Sequence, residues 1–198
     1  MTYRLPSVLT TADLPLAELG SARLDGEVFS LGDGWCPIDE IEGQEMRARA
    51  AGLLVPSRAI AECLTAAWIY GACQEPTRHQ FFVSPHARVA VHTSARYLLR
   101  ELRCAPTDLQ NLGGTRVTTP VRTIVDLARN ESVPDDRAIL AMATLLARRW
   151  PGVTDDIDGR TQQGTQRSRA MARARLSAAM IAAGRMPSPN GEPGASCR

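Results

Sequence analysis

The spacing of apolar positions changes several times along this chain, and each change marks an element. Residues from Leu14 to Leu24 recur at helical spacing behind Asp13 and stop at Gly26, which predicts a first helix after a loose leader, Met1 to Thr11. Two short apolar runs, Glu27–Leu31 and Trp35–Ile38, flank the turn Gly32-Asp33-Gly34 and predict a β-hairpin. A helix over Gln44–Gly52 follows the acidic stretch from Asp39 to Glu45. Beyond Pro56-Ser57, the residues Ile60, Cys63, Leu64, Ala67 and Trp68 keep to one helical face as far as Gly71. Gln80–Val83 and Val89–His92 predict a second hairpin across residues 84–88. Leu98–Leu102 fits a strand or a helical turn, and Pro106–Leu112 a short helix or a turn.

The clearest statement comes at Val117–Arg129. Gly113-Gly114 is a turn and Thr115–Thr118 a short strand, which runs straight into a helix. Thr119 offers a hydroxyl to the free N–H groups of the helix start, and Pro120 takes the first helical position, where its missing N–H costs nothing. Val121, Ile124, Val125 and Ala128 then line one face. On another, Arg122, Asp126 and Arg129 are spaced so that the carboxylate can pair with either guanidinium.

A second long helix follows Pro134, with Ile139, Met142, Ala143, Leu146 and Trp150 at helical spacing. Asp135 and Asp136 at its start and Arg148 and Arg149 at its end suit the helix dipole. Pro151-Gly152 ends it, and Thr154–Gly164 reads as a polar linker. From Gln166 to Ala183 an Ala/Met-rich helix carries Arg167, Arg169, Arg173 and Arg175 with no acidic residue among them. Prolines and glycines beyond Met186 describe a tail without a core. These elements make an α+β chain with four parts. They are a short helix-plus-hairpin module (1–40), a central β-sheet packed by helices (41–153), a linker with the Arg-rich helix (154–185), and the tail (186–198).

Composition alters this picture in two ways. The hydrophobic fraction is 44% but only 5% is aromatic, so the core is aliphatic. A net charge of +2 does not by itself point to nucleic acid. All the basic side chains are arginine, which favours bidentate contacts with phosphate and carboxylate. The five cysteines lack paired spacing, which fits a reducing cytoplasm, and no apolar run reaches the ~18 residues of a membrane span. His79, His86 and His92 have no metal-ligand spacing. No glycine-rich phosphate loop and no tight carboxylate cluster of the kind that holds a divalent ion is present in the sequence. The expectation is a protein that binds, without a cofactor, a metal or catalysis.

Val-Thr-Thr-Pro-Val-Arg-Thr-Ile-Val-Asp-Leu-Ala-Arg, residues 117–129, resembles the core motif of the AbiEi-type antitoxin family. The likeness extends to Cys63–Gly71, which is similar to that family's helix ending in Ala-Ala-x-x-x-Gly, and covers about residues 12–150. Relatives bearing a Vsr-like nuclease domain share the first motif, but this chain offers an Arg/Ala helix in place of their acidic domain. The resemblance implies an antitoxin that neutralises a nucleotidyltransferase-type toxin and represses its own operon through an N-terminal DNA-binding module. That module is short here, with no first helix ahead of Leu14–Leu24 to brace it. Arg167, Arg169, Arg173 and Arg175, with Arg23 on the first helix, are the residues expected to meet toxin or promoter DNA. Thr119, Pro120, Arg122, Asp126 and Arg129 are expected to be structural. A stand-alone DNA-binding regulator is the alternative reading.

Overall fold

The computed structural model describes residues 6–87, 94–148, 157–161 and 165–186, and its chain divides into two compact units. The first comprises the chain up to Ala61 together with Thr77–Thr118; the second comprises Glu62–Pro76 and everything from Thr119 onward. The mixed α+β class expected from the sequence is what the chain adopts.

The first unit opens earlier than a loose leader would. Val8 and Leu9 are buried, and Leu9 forms a bridge with Trp35. Thr10–Leu14 makes a single hydrogen-bonded turn, and Asp13 accepts from both the Thr10 amide and its hydroxyl. Helix α1 (Leu16–Leu24) therefore starts after Pro15 rather than at Asp13. Strands β1 (Val28–Leu31) and β2 (Gly34–Pro37) form the expected hairpin. Leu19 is the one residue of α1 that is buried; it packs with Leu9 and Val28, against which Leu14, Ala22 and Trp35 also close.

Helix α2 (Gln44–Gly52) falls where its apolar pattern put it. The sheet that follows has the order β5-β4-β3-β7-β6, with β3 Ile60–Ala61, β4 His79–Val83, β5 Tyr97–Glu101, β6 Leu109–Leu112 and β7 Thr115–Thr118. β3 runs parallel to β7 and antiparallel to β4, while β4 runs parallel to β5 and β6 antiparallel to β7. Ile60 thus belongs to a strand and not to the helix its spacing suggested. The expected Gln80–His92 hairpin is only half described, because residues 88–93 lie outside the described set. Leu98–Leu102 resolves as strand β5, and Pro106–Leu112 as one 3-10 turn followed by β6. Gly113 turns between β6 and β7 at φ +55°, and a Cβ there would meet the Glu45 carbonyl oxygen at 2.3 Å. Only glycine fits both demands.

The second unit is helical. Helix α3 (Cys63–Ile69) is buried at every position, so the one-sided face expected of it does not exist. It packs with α4 (Pro120–Arg129) and α5 (Asp135–Ala147), and α4 and α5 in turn pack with α7 (Gln166–Arg185). A short α6 (Ile157–Thr161), with Ile157 and Thr161 buried, occupies part of what reads as linker. Trp150, Arg149, Pro151-Gly152 and the residues past Met186 lie outside the described set.

Candidate functional site

Val117–Arg129 folds as its sequence states. The Thr119 hydroxyl accepts from the Arg122 amide at 3.3 Å, and Pro120 holds the first helical position. Arg122 Nε donates to Asp126 Oδ1 at 2.8 Å, with side-chain exposures of 18% and 10%. This is a largely desolvated pair, worth more than the few tenths of a kcal/mol of a solvated i,i+4 bridge. Arg129 is not part of it: the pairing is with Arg122 alone among the two candidates. Helix α4 is also more deeply enclosed than one face, since Thr123 and Leu127 join Ile124, Val125 and Ala128 in the interior.

Arg175, expected at a partner-binding surface, is instead a core residue. It is 4% exposed and its guanidinium is surrounded by acceptors. Nη1 donates to the carbonyls of Leu127 at 2.9 Å and Asn130 at 2.8 Å, and Nη2 to Val133 at 2.6 Å. Nε donates to Asp135 Oδ1 at 2.7 Å. Those carbonyls belong to the last turn of α4 and the loop into α5, where helix carbonyls lack partners within the helix. One planar guanidinium thus closes the end of α4, the α4–α5 loop and the start of α5 onto α7. The correction has a simple cause. Arg175 shares the stripe of Ala172, Leu176 and Ala179, which are all buried, whereas spacing of charge alone does not reveal which side of a helix faces inward.

Arg167, Arg169 and Arg173 stand on the exposed side of the same helix. Arg167 and Arg169 fall in its first turn, which holds no acidic residue. The positive end of a helix dipole disfavours cations, so an incoming anion would relieve a local cost there. Arg169 and Arg173, one helical turn apart, line an open depression of about 320 Å³ with Gln166 and Ala170. The charge of the three guanidiniums is unmatched by any carboxylate among the described residues. Gln166 and Ala170 were not anticipated as site residues, although each lies three positions from one of the arginines, which could have shown it.

In the first unit, Arg23 is exposed on α1, where Glu18 offsets its charge. The Leu9 bridge, the Thr10–Leu14 turn, α1 and the β1–β2 hairpin follow one another along the chain. The β1–β2 turn carries Asp33, whose carboxylate accepts from Arg96 and is ion-paired with it.

Burial and the nearby Glu42 raise the Cys36 thiol from an ordinary 9.0 to about 11, so it is inert near neutrality. Cys63 begins α3 at φ +48° and accepts from Asn130 Nδ2 at 3.3 Å.

A family model, the AbiEi antitoxin C-terminal domain, matches residues 60–176, more than half of the chain. The chain belongs to the AbiEi antitoxin family. Its role is that of an antitoxin, and a toxin partner follows from the membership. The match begins at β3 and ends one residue past Arg175, so it takes in most of the helical unit and the first half of α7. Among solved structures, the RV2827C protein from Mycobacterium tuberculosis is similar over 88% of this chain and 72% of its own, at 15% identity and a TM-score of 0.47. No curated protein matches this AbiEi-family chain. No helix of the described residues is long and apolar enough to cross a membrane.

Proposed function

We propose that this antitoxin neutralises a nucleotidyltransferase-type toxin by direct contact, and that the exposed arginines of α7 make that contact. The observation that carries the reading is the set Arg167, Arg169 and Arg173, exposed cations on one helix with no acidic counterpart beside them among the described residues. A nucleotidyltransferase holds metal and triphosphate with carboxylates, so its cleft offers complementary charge, which speeds association and fixes register. The mode is binding and not catalysis: a guanidinium stays protonated and serves as neither base nor nucleophile.

Co-expression with a nucleotidyltransferase-type toxin, taken from the neighbouring reading frame where one encodes it, is the test. The intact chain should restore growth, and Arg167→Ala/Arg169→Ala/Arg173→Ala should lose most of that protection at equal protein level. A toxin that stays lethal beside the intact chain overturns the antitoxin reading of this pair. Full protection by the triple variant overturns the assignment to α7.

The same reading includes repression of the chain's own operon. The order turn, helix, hairpin in the first unit, which is that of a helix-turn-helix with a wing and a first helix of one turn, supports it, while the balanced charge of α1 and the Asp33–Arg96 ion pair at the hairpin tip argue that phosphates are met by α7. In gel shifts on the upstream promoter, removing the three α7 arginines should lower the salt slope by about 1 for each phosphate left without its arginine. Loss of binding in Arg23→Ala with the triple variant unaffected would make α1 the reader.

A further inference from the structure

Helix α7 has two faces, and among the described residues only one of them is buried against the fold. The inner stripe is Ala172, Arg175, Leu176 and Ala179. On the other side, Gln166, Ala170, Arg173, Ser177, Met180 and Gly184 follow one another at intervals of four, three, four, three and four, and every one is exposed. That is the heptad spacing of a helix-packing seam, with small residues (Ala170, Ser177, Gly184) alternating with long ones (Gln166, Arg173, Met180). The seam is polarised along its length. Its first half carries Arg169 and Arg173 over the depression, and its second half carries Met180 and Ile181, 59% and 60% exposed.

We propose that this seam is the docking surface for an acidic amphipathic helix of the partner protein. The inference rests on the antitoxin reading and names the kind of segment the toxin presents. A helix laid along α7 would set carboxylates against Arg169 and Arg173 and apolar side chains on Met180 and Ile181, with the small residues allowing close approach. Charge complementarity selects the occupant: α7 carries five arginines, counting Arg175 and Arg185, and no carboxylate. A nucleic-acid backbone would use the arginines but has no use for two large apolar side chains on the same line. A second copy of α7 would oppose arginine to arginine in a parallel pair, and in an antiparallel pair would set arginines against Met180 and Ile181 with no carboxylate to match them.

The probe is a synthetic amphipathic helical peptide as long as α7, glutamate along one half of its stripe and leucine along the other, with a scrambled-stripe control of equal composition. Binding to the full chain is measured beside a single-stranded and a duplex oligonucleotide. The peptide should bind at least tenfold more tightly than its scrambled control. Arg169→Ala/Arg173→Ala and Met180→Ser/Ile181→Ser should each weaken it at least tenfold, with unfolding temperatures unchanged; salt should diminish the first effect and not the second. Equal binding of the scrambled peptide, or no peptide binding, overturns the proposal. So does an oligonucleotide that binds more tightly than the peptide and depends on the arginine pair alone. Co-expression separates this from the reading beneath it. Where the intact chain protects against its toxin and the four-residue variant protects equally, the seam is wrong and the antitoxin reading stands. Where the intact chain fails to protect, the antitoxin reading itself is wrong.

Discussion

Arg175 shows how much one side chain's environment can change its meaning. The four arginines in the first half of α7 read alike, yet three face solvent and one satisfies three carbonyls in the interior. Its ion pair contributes little, because the Asp135 side chain is 72% exposed; the buried carbonyl bonds carry the stabilisation. Arg175→Ala should therefore cost about 3–5 kcal/mol, by leaving three carbonyl acceptors without their donor, and lower the unfolding temperature by about 10 °C. Asp135→Asn should cost less than about 1 kcal/mol, and Arg173→Ala about 0.5 kcal/mol or less. Thermal unfolding of the three variants checks the order, and an Arg175→Ala protein as stable as Arg173→Ala would refute the clamp. Cys36 makes a second prediction. Its thiol is held protonated up to about 11, so the stability this confers is fully present below the unfolded value of 9.0 and is lost as pH rises through about 11. Cys36→Ala should flatten that part of the alkaline decline, measured by urea unfolding between the two values.

Elements were legible where local chemistry settles the matter. Strand β7, the cap at Thr119 and helix α4 follow from residues within a few positions of one another, and all lie where the sequence put them. Helices α2 and α7 and the first hairpin do so too. Elements misread were those whose surroundings come from far along the chain. Ile60–Ala61 is a strand because β4 and β7 flank it, and α3 is buried all round, which removes the one-sided pattern that helix prediction relies on. The β6–β7 turn offers a test at this scale. Gly113→Ala must leave the positive-φ region or displace Glu45, so it should cost roughly 2–4 kcal/mol, whereas Gly43→Ala, with only ordinary contacts, should change stability by well under that. Equal midpoints in denaturant would show the turn to be adaptable.

For the molecule as a whole, the interleaving of the two units matters most. The chain passes between them after Ala61, after Pro76 and after Thr118, so neither unit is a simple segment that could be cut away. The C-terminal helix is likewise not an appendage, since its inner stripe and Arg175 complete the helical unit. A chain ending at Thr165 should unfold at a lower temperature than the full chain and bind a hydrophobic dye that the full chain excludes. An equally stable, dye-negative truncation would refute the integral role of α7. For this reason surface substitutions, not removal of the helix, are the sound way to test partner binding.

The amino-acid sequence determined what depends on neighbours: the turns, the capped start of α4, the helical reach of α7, and the motif that marks the family. It also determined that cations without carboxylates gather on α7. Only the tertiary structure decided which of those cations are available. Burial is fixed by which elements pack against a helix, and a periodic sequence is compatible with more than one choice of inner face. Packing on α4 and α5 drew Arg175 inward, and left Arg167, Arg169 and Arg173 outside beside Met180 and Ile181.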